Sequence, residues 1–391
     1  MNFIILTDYY EPIIKSGSII VGDLTDELIA NGHQVTIITF VDHQKSKYEV
    51  SVKNNLKIIR IKTFSRSFGK IGRLWAEFRY SSQIKQTLSL LNDIHCDGVI
   101  CYSPSIFYGN AVNWLKNTYE VRSYLIIRDI FPKWALDSGL LKEGLLYNFF
   151  KNVEHNLYKS SDIIGIEAKS DLSYFNNYGL DESKEIEVLN NWGSPVGTIN
   201  PEFGKKLLDS DKINIVYGGN MGDAQDLLSL INSIDFNILS NRAVLFLIGS
   251  GNQFDKIKKT IRIKKLPNIV LINPIDRISY LSVIQNADIG LISLSSKILS
   301  HNYPLKMIGY MQLSIPILAS VNNNNEVIST IRDNDIGLVS LASDKGSFNK
   351  NLNKMIDDKN MRKVQGENAI SLFNSKYDVS MAYAQILSHF K

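Results

Sequence analysis

Residues able to do chemistry gather in the stretch Ser300-His301-Asn302-Tyr303-Pro304-Leu305-Lys306-Met307-Ile308-Gly309-Tyr310-Met311, which follows an apolar run at 289–294. The pattern reads as a buried strand, a polar loop and a helix, with Pro304 at the first helical position, where its missing N–H costs nothing. The free amides of that turn then face the loop with Lys306 beside them. A helix N-terminus carries roughly half a positive charge and a lysine adds a whole one, which suits a phosphate or diphosphate. An ordinary connection with a solvated lysine has the same sequence appearance. A second candidate is Arg128-Asp129, opening Arg128-Asp129-Ile130-Phe131-Pro132 just past the apolar run 123–127, where open α/β sheets hold ligands. A local ion pair or a helix cap reads alike. Ser16-Gly17-Ser18 is a third, read as a loop in which glycine lets backbone approach a ligand. Asp209-Ser210-Asp211 and Asp333-Asn334-Asp335 have the Asp-x-Asp spacing of metal-dependent sites, but both lie in turn-forming sequence where aspartate is common, so no metal is expected.

The elements that must position these residues alternate between strand and helix. A chain of 391 residues with 44% apolar content can bury two cores. Residues 3–6, a helix over 20–30 ending at Asn31-Gly32, and a strand over 35–40 form a βαβ unit. Strands over 98–102, 123–127 and 161–166 and helices over 145–159 and 171–178 continue it. Periodicity lapses over 191–211, the expected linker. A second series follows, with strands at 213–218, 244–248, 269–272, 287–294 and 315–319, helices at 225–239, 252–263 and 278–285, and glycine-rich turns at Gly218-Gly219-Asn220 and Gly249-Ser250-Gly251. The expected fold is α/β, with two Rossmann-like doubly wound domains and a cleft between them. Domain bounds are set at 1–190, 212–372 and a C-terminal helical segment, 373–391, crossing back to the first domain.

The net charge of +4 does not suggest a nucleic-acid partner. Two cysteines, Cys96 and Cys101, fit neither a disulfide framework nor a zinc site, so a reducing cytosol is the expected compartment. No basic leader opens the chain and no 18 apolar residues run together, which predicts a protein neither exported nor membrane-spanning. Between 45 and 85, eleven Lys/Arg face two acids, Glu49 and Glu77. There Phe64, Phe68, Ile71, Leu74, Trp75 and Phe78 recur at helical spacing among Arg66, Lys70, Arg73 and Arg79. Such a helix can lie on an anionic membrane surface, here through residues 60–85, or pack its aromatic stripe on its own domain.

Gly32-His33-Gln34-Val35, Tyr217-Gly218-Gly219-Asn220, Ile248-Gly249-Ser250-Gly251, Ala287-Asp288-Ile289, Pro304-Leu305-Lys306 with Tyr310-Met311, and Ser314-Ile315-Pro316-Ile317-Leu318-Ala319 together resemble successive blocks of family 4 glycosyltransferases of GT-B fold. Arg128 to Pro132, Gly219-Asn220-Met221-Gly222 with Gln225, and the 301–311 stretch are similar to the branch that includes bacterial N-acetyl-L-fucosaminyltransferases of O-antigen and capsule assembly. The resemblance implies retaining transfer, without metal or other cofactor, from a UDP-sugar such as UDP-L-FucNAc to a polyprenyl-diphosphate-linked saccharide, by a cytoplasmic enzyme peripheral to the inner face of the plasma membrane. It assigns Asp129, Arg128 and Lys306 to catalysis. Donor binding falls to Ser16, Gly17, Gly219, Asn220, Gln225, Ser250, Gly251, Ile275, His301, Asn302, Pro304, Met307 and Glu326. The wider family carries two glutamates eight positions apart around this loop and helix, where this chain has His301 and Gly309. Its Arg and Lys after the first glycine-rich turn are here Asn220 and Gln225. Two other classes stay open: a sugar-nucleotide epimerase of the same architecture, and a non-catalytic partner that binds nucleotide or glycan.

Overall fold

The computed structural model describes residues 1–13, 15–63, 69–91, 93–176, 178–181, 184–197, 199–297, 303–323 and 325–390, with backbone alone at 70 and 71. It divides into two compact units, Met1–Trp192 with Val379–Lys391, and Gly193–Asp378.

The first unit is built on strands β1 (Asn2–Leu6), β2 (Gln34–Val41), β3 (Tyr48–Lys53), β4 (Leu56–Lys62), β5 (Gly98–Ser103), β6 (Ser123–Ile127), β7 (Ile163–Ile166) and β8 (Glu185–Val188). They lie in the order β3-β4-β2-β1-β5-β6-β7-β8, parallel throughout except for the β3–β4 pair. Helices cover both faces of such a sheet, so its inner strands bury both sides and read as unbroken apolar runs. Residues 3–6, 99–101 and 124–127 are at most 2% exposed. The β3–β4 hairpin went unread because its basic residues hide a period-two pattern: Ile59 and Ile61 face the core, Val50 and Val52 face solvent, and Asn54 turns the chain at φ 52°. The first helix starts earlier than its periodicity suggested. Ser16–Ala30 is helical, so Ser16, Gly17 and Ser18 form its first turn instead of a loop, with the Ser18 hydroxyl accepting from the Lys15 amide at 2.8 Å. The terminal helix Val379–Ser388 belongs to this unit, where Tyr383 pairs with His33 at 3.1 Å and Phe390 meets Phe3 edge-on at 5.2 Å.

The second unit carries β9 (Ile213–Asn220), β10 (Ala243–Ser250), β11 (Ile269–Ile272), β12 (Ile289–Ser293), β13 (Ile317–Val321) and β14 (Gly337–Leu341) in an all-parallel sheet of order β11-β10-β9-β12-β13-β14. Strand order reverses between β9 and β12, as it does between β1 and β5 in the first unit. The crevice outside the carboxyl ends at such a reversal is where open α/β sheets bind ligands. Glu202–Leu207 forms a short helix inside the stretch expected to be linker. The chain enters and leaves this unit side by side, the Gly193 amide donating to the Tyr377 carbonyl at 2.9 Å.

Candidate active site

At the reversal of the second sheet, β9 ends in Gly218-Gly219-Asn220, the last two exposed. Gly219 sits at φ 114° and Gly249 at φ 150°, and a Cβ on Gly249 would fall 1.9 Å from the Gly219 carbonyl oxygen. The ends of β9 and β10 therefore touch backbone to backbone, which only glycine permits. Gly251 abuts the Met221 backbone, and the Met221 amide donates to the Ser250 carbonyl at 2.7 Å. Asn220 and Gln225 lock the turn: Asn220 Nδ2 donates to Gln225 Oε1 at 2.9 Å, and the Gly222 amide donates to the same oxygen at 3.3 Å. They brace the turn and add no charge to it.

The charge comes from Lys306, the second residue of the Leu305–Gln312 helix that follows β12. Because β12 lies beside β9, this helix start reaches back over the glycine turn. Lys306 Nζ donates to the Tyr217 hydroxyl at 3.0 Å and lies 4.1 Å from the centroid of that ring. A Cβ on Gly219 would be 4.0 Å from the same nitrogen. Desolvation pulls the half-buried ammonium down to about 7, and among the described residues no carboxylate pairs with it. Pro304 caps the helix one position before the place expected for it. Met307, expected at the donor, has its side chain fully buried in the core, and its amide donates to the Pro304 carbonyl at 2.8 Å. Leu305 and Lys306 supply the remaining first-turn amides.

His301 and Asn302 lie outside the described residues. Glu326 opens the Glu326–Asp333 helix, whose Val327 amide donates to the Asn325 side chain at 3.0 Å. The Glu326 charge acts on Tyr377, whose hydroxyl bonds that of Tyr303 at 2.6 Å while the two rings stack. That tyrosine pair, absent from the sequence reading, ties the residue before Pro304 to the neighbourhood of Glu326. Ile275 is half-buried against the apolar cluster that contains Val216 and Ile248.

In the first unit, residues at the carboxyl ends of β5, β6 and β7 gather in the same way. Arg128 Nη1 donates to the Leu189 carbonyl at 2.7 Å and Nη2 to that of Asn190 at 3.4 Å, with the guanidinium 4.9 Å over the Trp192 ring. These contacts tie Arg128, expected among the catalytic residues, to the 189–192 segment. Asp129 is open to solvent yet crowded by protein, and desolvation lifts its carboxyl above the ordinary range. Glu167, just past β7, was missed because it stands alone after an apolar run. Burial lifts it to about 8 against the opposing pull of Arg128, and the Asn191 amide donates to it. Ser16 is exposed at its helix start, and Gly17 leaves room for Tyr102, whose ring would lie 3.0 Å from a Cβ there. Among the described residues no three His, Cys, Asp or Glu side chains converge as metal ligands, and no helix is long and apolar enough to cross a membrane.

Residues 199–372 match the family described as glycosyl transferases group 1. No curated protein matches the chain in sequence. Among solved structures, a sucrose-phosphate synthase from Thermosynechococcus elongatus superposes with a TM-score of 0.75 at 13% identity, covering 99% of this chain and 97% of that one. WaaG, a glycosyltransferase involved in lipopolysaccharide biosynthesis, gives 0.71 at 12% identity with 99% of both chains covered. Anabaena HepE in complex with UDP gives 0.70 at 11% identity, again covering 99% of both. The fold is GT-B, and the second unit carries a group 1 glycosyl transferase domain. The protein is a glycosyltransferase.

Proposed function

We propose that the protein moves a sugar from a UDP-sugar to a lipid-linked saccharide, with retention of anomeric configuration and without a metal. The observation that carries this reading is Lys306 at a helix start, beside the Gly219 turn, inside the matched domain. As the bond from C1 to the diphosphate breaks and C1 bonds the acceptor oxygen, negative charge grows on the diphosphate. An ammonium and two amides held at one helix start stabilise that change most where it is largest. The acceptor proton passes to a phosphate oxygen, so no protein nucleophile is required. Asp129 is assigned to the acceptor or the sugar. UDP in HepE supports a uridine carrier, and the sequence resemblance supports an N-acetylated deoxyhexosamine such as L-FucNAc and a place in O-antigen or capsule assembly.

An anionic membrane surface is the proposed station of the first unit. Of the aromatic stripe, Trp75 and Phe78 are 60% and 59% exposed on the Gly69–Phe78 helix, whereas Leu74 packs inward. Phe64, Arg66 and Phe68 fall outside the described residues, as do the side chains of Lys70 and Ile71. The deciding experiment is a panel of UDP-sugars incubated with a polyprenyl-diphosphate-linked saccharide and read by mass spectrometry, with each donor also incubated alone. Mass added to the lipid is expected. Isomerised donor without acceptor would instead make the protein an epimerase, and UDP binding with neither product would make it a non-catalytic partner.

A further inference from the structure

We infer that Tyr217 is the positioning residue that fixes Lys306 against the donor diphosphate, by receiving the ammonium on a hydroxyl whose own proton is committed to the Asn220 carbonyl. This rests on the reading of Lys306 given above.

A phenol has one proton to give and an oxygen that accepts. The Tyr217 hydroxyl donates to the Asn220 carbonyl at 2.5 Å, so toward Lys306 Nζ, at 3.0 Å, it acts as acceptor. One oxygen thereby joins the two pieces of backbone that come to the ligand, the β9 turn and the helix start after β12. The ring adds a second hold, with Nζ 4.1 Å from its centroid. Tyr217 is itself fully buried on a central strand.

The choice of partner matters for chemistry. A carboxylate at this distance would orient the lysine equally well, but it would cancel the charge that a diphosphate needs. A phenol that burial keeps neutral orients the ammonium and leaves its charge uncompensated. An ammonium has three donors and Tyr217 takes one, so the others remain for phosphate oxygens. Core packing alone does not call for the hydroxyl, since phenylalanine fills the same volume and a buried hydroxyl costs free energy unless bonded.

The test compares the whole chain with Tyr217→Phe, Lys306→Ala and the double variant, using UDP calorimetry, donor KM and kcat, and thermal melting. Tyr217→Phe keeps the ring and the fold. We expect it to weaken UDP binding about fivefold and to lower kcat about tenfold, as for one lost charge-assisted hydrogen bond. In the Lys306→Ala background the same change should cost less than about twofold, because the two groups act as a pair. Equal losses in both backgrounds would make Tyr217 merely structural and overturn the inference. So would unaltered UDP affinity and turnover in Tyr217→Phe while Lys306→Ala is impaired, a result that leaves the glycosyltransferase reading standing. Full UDP affinity and turnover in Lys306→Ala would remove the Lys306 reading and this inference together.

Discussion

Each unit has a cation beyond the carboxyl end of a parallel strand, and the two are used in opposite ways. Arg128 directs Nη1 and Nη2 at backbone carbonyls, covers the Trp192 ring, and buries its Nε without a partner among the described residues. Among the described residues Lys306 makes one bond, to a neutral phenol at the rim of a glycine turn. Position in the sheet is thus a poor guide to function by itself. What separates an anchor from a ligand-facing group is how many donors the protein has already engaged, and whether the partner cancels the charge.

Lys306→Ala should produce the largest effect that sharpens this contrast. Removing a preorganised cation from a growing anion typically costs a factor of about 100 to 1,000 in turnover. Here kcat/KM for the donor should fall by that much while the melting temperature holds. A variant with normal kinetics would reduce Lys306 to a solvated helix residue. Arg128→Ala should do the reverse. It strands the Leu189 and Asn190 carbonyls and unseats Trp192, whose indole N–H donates to the Ile20 carbonyl at 3.0 Å. A loss of about 2–4 kcal/mol in chemical denaturation is expected, with UDP affinity kept. Normal stability with abolished transfer would instead make Arg128 catalytic.

Acidity gives a third, smaller probe. Burial holds the Lys306 ammonium down to about 7, so in the free protein its charge is present below that pH and fades above it. Donor kcat/KM should therefore fall above pH 7, by about tenfold per unit. Lys306→Arg, which stays charged, should abolish that limb even where it lowers the maximum. An alkaline limb unchanged in Lys306→Arg would assign it to another group.

Much of this frame was legible in the sequence because buried parallel strands are apolar on both faces, and runs such as 3–6, 213–218 and 289–294 have few other interpretations. Lys306 was legible for a related reason: a proline and a lysine after a strand describe a helix start. Tyr217 was not, since within an apolar run a tyrosine reads as core, and its hydroxyl gains meaning only when β12 and the following helix are laid beside β9. Glu167 and Asn191 are likewise joined to Arg128 by strand order alone. Burial of Met307 follows from the helix face it occupies.

The second unit holds two kinds of glycine. Gly249 cannot change, because a Cβ there would fall within 1.9 Å of the Gly219 carbonyl. Gly309 lies in the middle of the Leu305–Gln312 helix, and a Cβ on it would meet nothing within 4 Å. Glycine in a helix interior costs about 0.5–1 kcal/mol relative to alanine, with no packing constraint here to require it. Gly309→Ala should therefore raise stability by about that amount in urea unfolding. If the open face serves only as surface, UDP affinity stays the same. Should the donor lie against Gly309, UDP binding should weaken even as the fold tightens, and opposite signs in one variant would mark this helix face as part of the nucleotide site.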